Sequence, residues 1–332
     1  MNAMVLERQA PVDTRPLAYR EIADPEPGDD EVRLRVTACA VCRTDLHVVE
    51  GDLAPRRLPL VPGHQIVGRV EARGARVRRF AIGDRVGVAW LRGACGVCAW
   101  CRGGAENLCE RSRYTGWDAD GGYAEMATVP EAFAYAIPDA FDDVTAAPLL
   151  CAGIIGYRAL SRSRLPAGGR LGLYGFGSSA HVVAQLARHR GCSLYVATRG
   201  AAHREAAEEL GAAWVGGAHD TPPVALDAAI VFAPAGEIVP PALRAVRKGG
   251  TVALAGIHMS DVPAMDYASC LFHEKTLTSV ESNTRADGEA LLREAAEIPL
   301  RPRVRTFPLR EAGAVLETLA RDGLSGTAVL VP

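Results

Sequence analysis

Four cysteines fall within fifteen residues, Cys95, Cys98, Cys101 and Cys109, with the spacing C-x2-C-x2-C-x7-C. Four thiolates on one short loop can wrap a single tetrahedral ion, and Gly93, Gly96, Gly103 and Gly104 supply the turns that such a lobe needs. Incidental thiols are not normally clustered this way, and iron–sulfur clusters use other spacings. The pattern reads as a structural zinc site. A second group is looser: Cys42-Arg43-Thr44-Asp45-Leu46-His47, then Gly63-His64-Gln65, then Cys151. Thiol, imidazole and carboxylate are the groups of metal and proton chemistry. Taken singly each is weak, since a lone histidine is more often structural and a lone apolar-flanked cysteine is usually core. A third group, Gly172-Leu-Tyr-Gly175-Phe-Gly177-Ser-Ser-Ala180, is the G-x-G-x-x-G/A fingerprint with alanine at its third position. Its glycines let backbone approach a pyrophosphate held at a helix N-terminus.

These residues need elements to hold them. Glu31 to Ala38 alternates Val32, Leu34 and Val36 with charged residues, a half-buried strand. Ile66 to Ala72 and Arg85 to Ala89, the latter after Gly83-Asp84, continue an all-β texture. From about residue 150 strands and helices alternate. Arg170 to Tyr174, Leu194 to Thr198, Leu226 to Phe232 and Thr251 to Ala255 read as strands, the last introduced by Gly249-Gly250. Ser178 to His189 reads as a helix, with Ala180, Val183, Ala184 and Ala187 on one face, and Ala201 to Leu210 as another, ended by Gly211. Alternation of this kind argues for a parallel, doubly wound sheet. Glu289 to Ala296 and Leu309 to Leu319 then lead to a short final strand, Ala328 to Val331.

Taken together and in order, the motifs resemble the zinc-dependent alcohol dehydrogenases of the medium-chain dehydrogenase/reductase superfamily, in the microbial and cinnamyl-alcohol-dehydrogenase-like branch. They are Cys42-x-Thr44-Asp45-x-His47, Pro62-Gly63-His64, the cysteine lobe, Asp120-Gly-Gly-Tyr-Ala-Glu125, Cys151-Ala-Gly and the turn at Gly175. The resemblance covers essentially the whole chain. It implies an α/β protein: a GroES-like, β-rich catalytic domain at 1–149 and 282–332, carrying the zinc lobe at 93–110, with an inserted Rossmann domain at 150–281. It implies Cys42, His64 and Cys151 as ligands of a catalytic zinc with one open position, beside the structural ion on Cys95, Cys98, Cys101 and Cys109, hence two zinc ions per chain. Asp45 matches the carboxylate that orients His64, and the same residue can also cap a helix start. Cys39 forms a C-x2-C with Cys42 and competes for the ligand role. Cys42 is preferred because Thr44 and His47 then fall where the family places its proton relay, from Thr44 through a ribose hydroxyl to His47 and solvent. A solvated surface histidine is the other reading of His47.

The resemblance also bears on the coenzyme. NAD sites usually carry Asp or Glu at the end of the second nucleotide-domain strand. Here Thr198 takes that place, followed by Arg199-Gly200 and Arg204. A hydroxyl and guanidinium suit a 2′-phosphate, so NADP(H) is expected ahead of NAD(H). Gly175, Gly177, Ala180, Thr198, Arg199 and Arg204 are the candidate coenzyme contacts, with Arg43 on the pyrophosphate. Three positions depart from the family: Gln65 stands for a common Glu behind the metal, Ile155 for a Thr near the nicotinamide, and Gly326-Thr327 for a Gly-Arg whose Arg meets the pyrophosphate. Trp90, Leu91 and Trp117 match positions that line the substrate pocket with bulky apolar groups, which favours primary alcohols and aldehydes over polyols.

Composition agrees with this picture. The 332 residues suit about two domains, and 48% hydrophobic with 23% charged residues is that of a globular chain. A net charge of -2 gives no reason to expect a nucleic-acid or membrane partner. No targeting segment is evident, so the nine cysteines are expected to be reduced, in the cytoplasm. The expected function is reversible hydride transfer between a primary alcohol or aldehyde and NADP(H) or NAD(H). Competing readings are an NAD-dependent polyol dehydrogenase, which would generally replace the third ligand, Cys151, and a non-catalytic nucleotide- and zinc-binding homologue. A zinc-free enoyl or quinone reductase would lack the ligands altogether. Relatives assemble as homodimers or homotetramers through the nucleotide domain, and the strand at Thr251 to Ile257 with its following segment is the candidate edge.

Overall fold

The computed structural model describes residues 1–324 and 326–332. Two compact units emerge: Met1–Cys151 with Ser282–Glu297 and Arg301–Pro332, and Ala152–Glu281 with Ile298–Leu300.

The first unit is built on the strand Glu31–Ala40, which pairs antiparallel with Gln65–Arg73, Met126–Pro130 and Thr327–Val331. Its sheet continues outward to Arg85–Val88 and Ala134–Ala136 on one side and to Val304–Pro308 on the other. Val32, Leu34 and Val36 are buried while Glu31, Arg33 and Arg35 face outward, as the alternation requires. Beyond Val36 the pairing register shifts, and Ala38, Cys39 and Ala40 are all buried. The strand therefore delivers the following residues, Val41 and Cys42, from inside the core. Helix Arg43–Glu50 begins there with a capping box between Cys42 and Asp45, and Gly51 ends it at φ 97°, a left-handed conformation that glycine adopts without strain.

The second unit holds a six-stranded sheet, all parallel, in the order Trp214–Gly216, Ser193–Ala197, Arg170–Tyr174, Leu226–Val231, Val246–Leu254, Thr276–Ser279. Numbered along the chain this is 3-2-1-4-5-6, the doubly wound nucleotide-binding order. Leu171, Leu173, Val196, Ile230, Val231 and Val252 are fully buried, as continuous apolar runs are in a sheet covered on both faces. Helix Ser178–His189 buries the four residues expected and also Val182 and Leu186.

Two local expectations are corrected. The fifth strand begins at Val246, ahead of Gly249-Gly250, so the glycine pair lies within it. That strand is flanked by Leu226–Val231 and Thr276–Ser279, so the edge on that side of the sheet is Thr276–Ser279 rather than Thr251 to Ile257. Val304–Pro308, charged and half-exposed, carries no clear alternation in the sequence; parallel pairing with Thr327–Val331 orders it as a strand.

Candidate functional sites

The first unit gathers Cys42, His64 and Cys151, whose donor atoms all lie within 4.8 Å of one another. Each arrives differently. Cys42 is the residue before helix Arg43–Glu50, His64 precedes strand Gln65–Arg73, and Cys151 follows the 3-10 turn Ala147–Leu150. Cys42 Sγ is 3.6 Å from His64 Nε2. Tetrahedral bonds of about 2.3 Å to sulfur and 2.0–2.1 Å to nitrogen put two such ligands about 3.5–3.6 Å apart. The donor set and spacing thus fit a zinc ion.

Behind these donors, Asp45 Oδ1 lies 2.8 Å from His64 Nδ1, and Oδ2 accepts the backbone N–H of Cys42 at 2.9 Å and the hydroxyl of Tyr123 at 3.1 Å. Asp45 therefore caps the helix and orients the histidine at once. Tyr123 is fully buried, and a Cβ at Gly63 would stand 2.4 Å from its ring. With φ +96° at that position as well, Pro62-Gly63-His64 needs its glycine twice over. Tyr123 lay inside a quoted motif, yet no spacing rule assigns its hydroxyl to Asp45 across 78 residues.

The electrostatics favour positive charge at the centre of this group. Burial opposes protonation of His64, but Asp45 and Cys42 outweigh it and push its pKa up to about 10. Hydrogen bonding from Cys151 holds the Cys42 thiol well below its ordinary value against burial, and the same contact with burial pushes Cys151 well above. A cation placed among them displaces those protons. Cys39, the competing thiol, is fully buried and is pushed up by burial and by Asp45; its sulfur lies against the carbonyl of Ala40. It is not in the three-donor group.

Thr44 is buried and gives its backbone N–H to Cys42 Sγ at 3.3 Å. His47, one turn on, is half-buried with Nδ1 2.6 Å from Asp52 Oδ2. Arg43 is ion-paired with Asp322, so a phosphate contact would require it to leave that carboxylate. Gln65 is fully buried, and neither atom of its amide has a hydrogen-bond partner. Trp90 meets the His64 ring edge-on at 5.0 Å and stacks on Tyr114 and Trp117 at 5.0 and 5.9 Å, with Arg56 4.0 Å from the Trp117 ring. Leu91, by contrast, is 1% exposed and belongs to the core.

The cysteine lobe is a second donor group of the same unit. The four sulfurs of Cys95, Cys98, Cys101 and Cys109 also lie within 4.8 Å of one another, with Cys98–Cys101 at 3.5 Å and Cys95–Cys101 at 3.8 Å. Backbone N–H groups of Cys95, Cys98 and Cys101 point at neighbouring sulfurs, which favours thiolates. The backbone of Val97 and the Arg111 guanidinium hold Cys95 down to about 5, while burial and Cys98 push Cys101 up to about 12. Glu106, buried at the base of the lobe, accepts from the backbone N–H and Nε of Arg285, both at 3.0 Å.

In the second unit, Gly175 (φ +88°) follows the first strand, and a Cβ there would meet the backbone nitrogen of Ala233 at 2.9 Å. Gly177 caps helix Ser178–His189 and has open space where a Cβ would stand, while Ala180 is fully buried. Thr198 follows the second strand and is 4% exposed. Arg204 Nε donates to its carbonyl at 3.1 Å, and Arg199 beside it is exposed. Ile155 is half-buried in helix Ala152–Arg162, and Thr327 is buried at the start of the last strand.

Comparison with known proteins gives a consistent picture. Residues 28–139 match the alcohol dehydrogenase GroES-like domain, and residues 180–297 match the zinc-binding dehydrogenase domain. A protein named probable alcohol dehydrogenase from Mycobacterium tuberculosis is 52% identical, over 100% of this chain and 97% of its own length. Among solved structures, a cinnamyl alcohol dehydrogenase of Sorghum bicolor superposes with a TM-score of 0.89 at 26% identity, covering 99% of this chain and 97% of that one. A structure described as a zinc-binding dehydrogenase of Sinorhizobium meliloti bound to NADP gives 0.85 at 28% identity, covering 100% and 99%.

Proposed function

The chain belongs to the zinc-type alcohol dehydrogenases of the medium-chain dehydrogenase/reductase superfamily, and from that premise we propose a two-zinc, NADP(H)-preferring enzyme acting on apolar primary alcohols and aldehydes. That it is an NAD(P)-dependent alcohol dehydrogenase follows from the family. The observation that carries the finer reading is the convergence of Cys42, His64 and Cys151 with Asp45 behind the imidazole.

When bound, zinc supplies a Lewis acid that eases loss of an alcohol proton or polarises an aldehyde, and the nicotinamide takes or gives the hydride. The chain's residues do the rest. Cys42 and Cys151 as thiolates with neutral His64 carry two negative charges, which would balance a zinc dication held there. Asp45 accepts the Nδ1 proton of His64, which turns the Nε2 lone pair toward the two sulfurs. Thr44 Oγ1 passes the substrate proton onward. His47, its Nδ1 proton engaged by Asp52, receives it at Nε2. The ring stack of Trp90, Tyr114 and Trp117 beside His64 supports an apolar substrate body over a polyol. Cys95, Cys98, Cys101 and Cys109 hold the structural ion.

In the second unit, Gly175, Gly177 and Ala180 form the pyrophosphate turn. Thr198 with Arg199 and Arg204 stands where an acidic residue would favour NAD, and that charge supports NADP(H). The edge strand Thr276–Ser279, preceded by exposed Tyr267 (64%) and Phe272 (59%), supports pairing with a second copy. None of the nine cysteines is in a disulfide, which supports a reducing, cytoplasmic setting. Among the described residues, no single helix is long and apolar enough to cross a membrane.

A panel of aliphatic and aromatic aldehydes assayed with NADPH and NADH tests the reading. Faster turnover with NADPH on apolar aldehydes supports it. Preference for a polyol with NAD, or no turnover by zinc-loaded protein, overturns it.

A further inference from the structure

Beside the cysteine lobe, within the first unit, lies a cleft of about 430 Å³ that reaches the lobe's Cys95 and is otherwise lined by residues with no part in the dehydrogenase chemistry, among them Arg92, Arg111, Arg113, Glu31 and Phe133. Its size is that of a small-ligand site. Arg92 is 5% exposed, an unusual place for a guanidinium unless its charge and donors are met. Only part of it is met. Nη2 donates to Glu31 Oε1 at 2.8 Å, whereas Nη1 is buried without a partner. The other oxygen of Glu31 accepts the backbone N–H of Gly28 at 3.1 Å.

The remaining cations add to this excess of donors. Arg111 leans on the Cys95 sulfur, and exposed Arg113 makes no ion pair among the described residues. Burial, joined by the like charge of Arg113, lowers the pKa of Arg92 against the pull of Glu31. Pairing of Gly93 with Arg113 across two short antiparallel strands brings Arg92 and Arg113 to the same place. Phe133 and Pro130 give the cleft an apolar wall.

We propose that this cleft binds a small organic anion, its phosphate or carboxylate headgroup held by Arg92 and Arg113 and its apolar body against Phe133. Guanidinium forks match both headgroups in geometry. The site shares no residue with the Cys42–His64–Cys151 centre or the glycine-rich turn, so it is a second small-molecule site on the enzyme.

Calorimetric titration of the zinc-loaded full chain with phenyl phosphate and with benzoate tests this, and the tighter probe identifies the headgroup. Arg113→Gln should weaken the tighter probe about tenfold. Glu31→Gln should strengthen it several-fold by freeing Arg92, a gain that simple damage to the fold would not give. Arg199→Ala, in the other unit, should leave it unchanged. Absence of binding by either probe overturns the proposal. So does a titration that Arg113→Gln and Glu31→Gln leave unaltered, or one that Arg199→Ala abolishes.

Discussion

Asp45 and His64 are joined by a 2.8 Å hydrogen bond between a carboxylate oxygen and Nδ1, and both are almost entirely inaccessible to solvent. The other Asp45 oxygen is held by the backbone N–H of Cys42 and the hydroxyl of Tyr123. One carboxylate thus fixes the ring of His64, the cap that places Cys42, and the contact to a buried tyrosine. Replacing it isosterically, Asp45→Asn, removes the charge and unsettles the tautomer of His64. Zinc affinity at the Cys42 centre should fall by about 10–100-fold, measured by chelator competition, with the circular dichroism spectrum unchanged. Tyr123→Phe removes one of the three contacts and should cost less. Unaltered affinity in Asp45→Asn would mean that the carboxylate is only a helix cap.

The proposed NADP(H) preference rests on the end of the second strand of the nucleotide unit. Arg199 is exposed, while Arg204 is tied to the Thr198 carbonyl. Arg199→Ala should raise the KM for NADPH about tenfold, the scale of one charge-assisted phosphate contact, and barely alter that for NADH. Steady-state kinetics with both coenzymes checks this. Equal effects on the two would remove the phosphate role.

Glu106 anchors the cysteine lobe to Arg285, and its pH dependence has a defined sign. Burial disfavours its charge, but hydrogen bonds from the backbone N–H and guanidinium of Arg285 hold its pKa below the ordinary 4.5. A carboxylate depressed in the folded state contributes stability that is complete above its unfolded pKa and is lost as pH falls through the folded one. Glu106→Gln should therefore melt at a lower temperature than the wild type near pH 7, with the gap closing below about pH 4. A gap that does not change with pH would show that the contact does not depend on the carboxylate's charge.

Much of this was legible in the sequence, for reasons that differ by residue. Cys95, Cys98, Cys101 and Cys109 are close in the chain, so their spacing alone restricts what one loop can do. The turn at Gly175 and the helix after it are likewise local. Cys42, His64 and Cys151 are far apart and became readable through resemblance to a family. What stayed hidden are pairings that no local pattern encodes: Tyr123 with Asp45, Glu106 with Arg285, and Arg43 with Asp322. Leu91 and Trp90 are neighbours that the sequence treats alike. The strand Leu91–Gly93 turns the first into the core and leaves the second half-buried in an aromatic stack beside His64. Trp90 precedes the strand, in which Leu91 and Arg92 are both buried, so no alternation in the sequence marks the difference.

The central claim is that three donors from distant parts of the chain form one metal centre, separate from the cysteine lobe. Elemental analysis of the dialysed full chain, beside Cys42→Ala and Cys98→Ser, tests it most directly. The account predicts two zinc ions per wild-type chain and one in each variant, with Cys42→Ala inactive yet folded. One ion in the wild type, or two retained in Cys42→Ala, would contradict it.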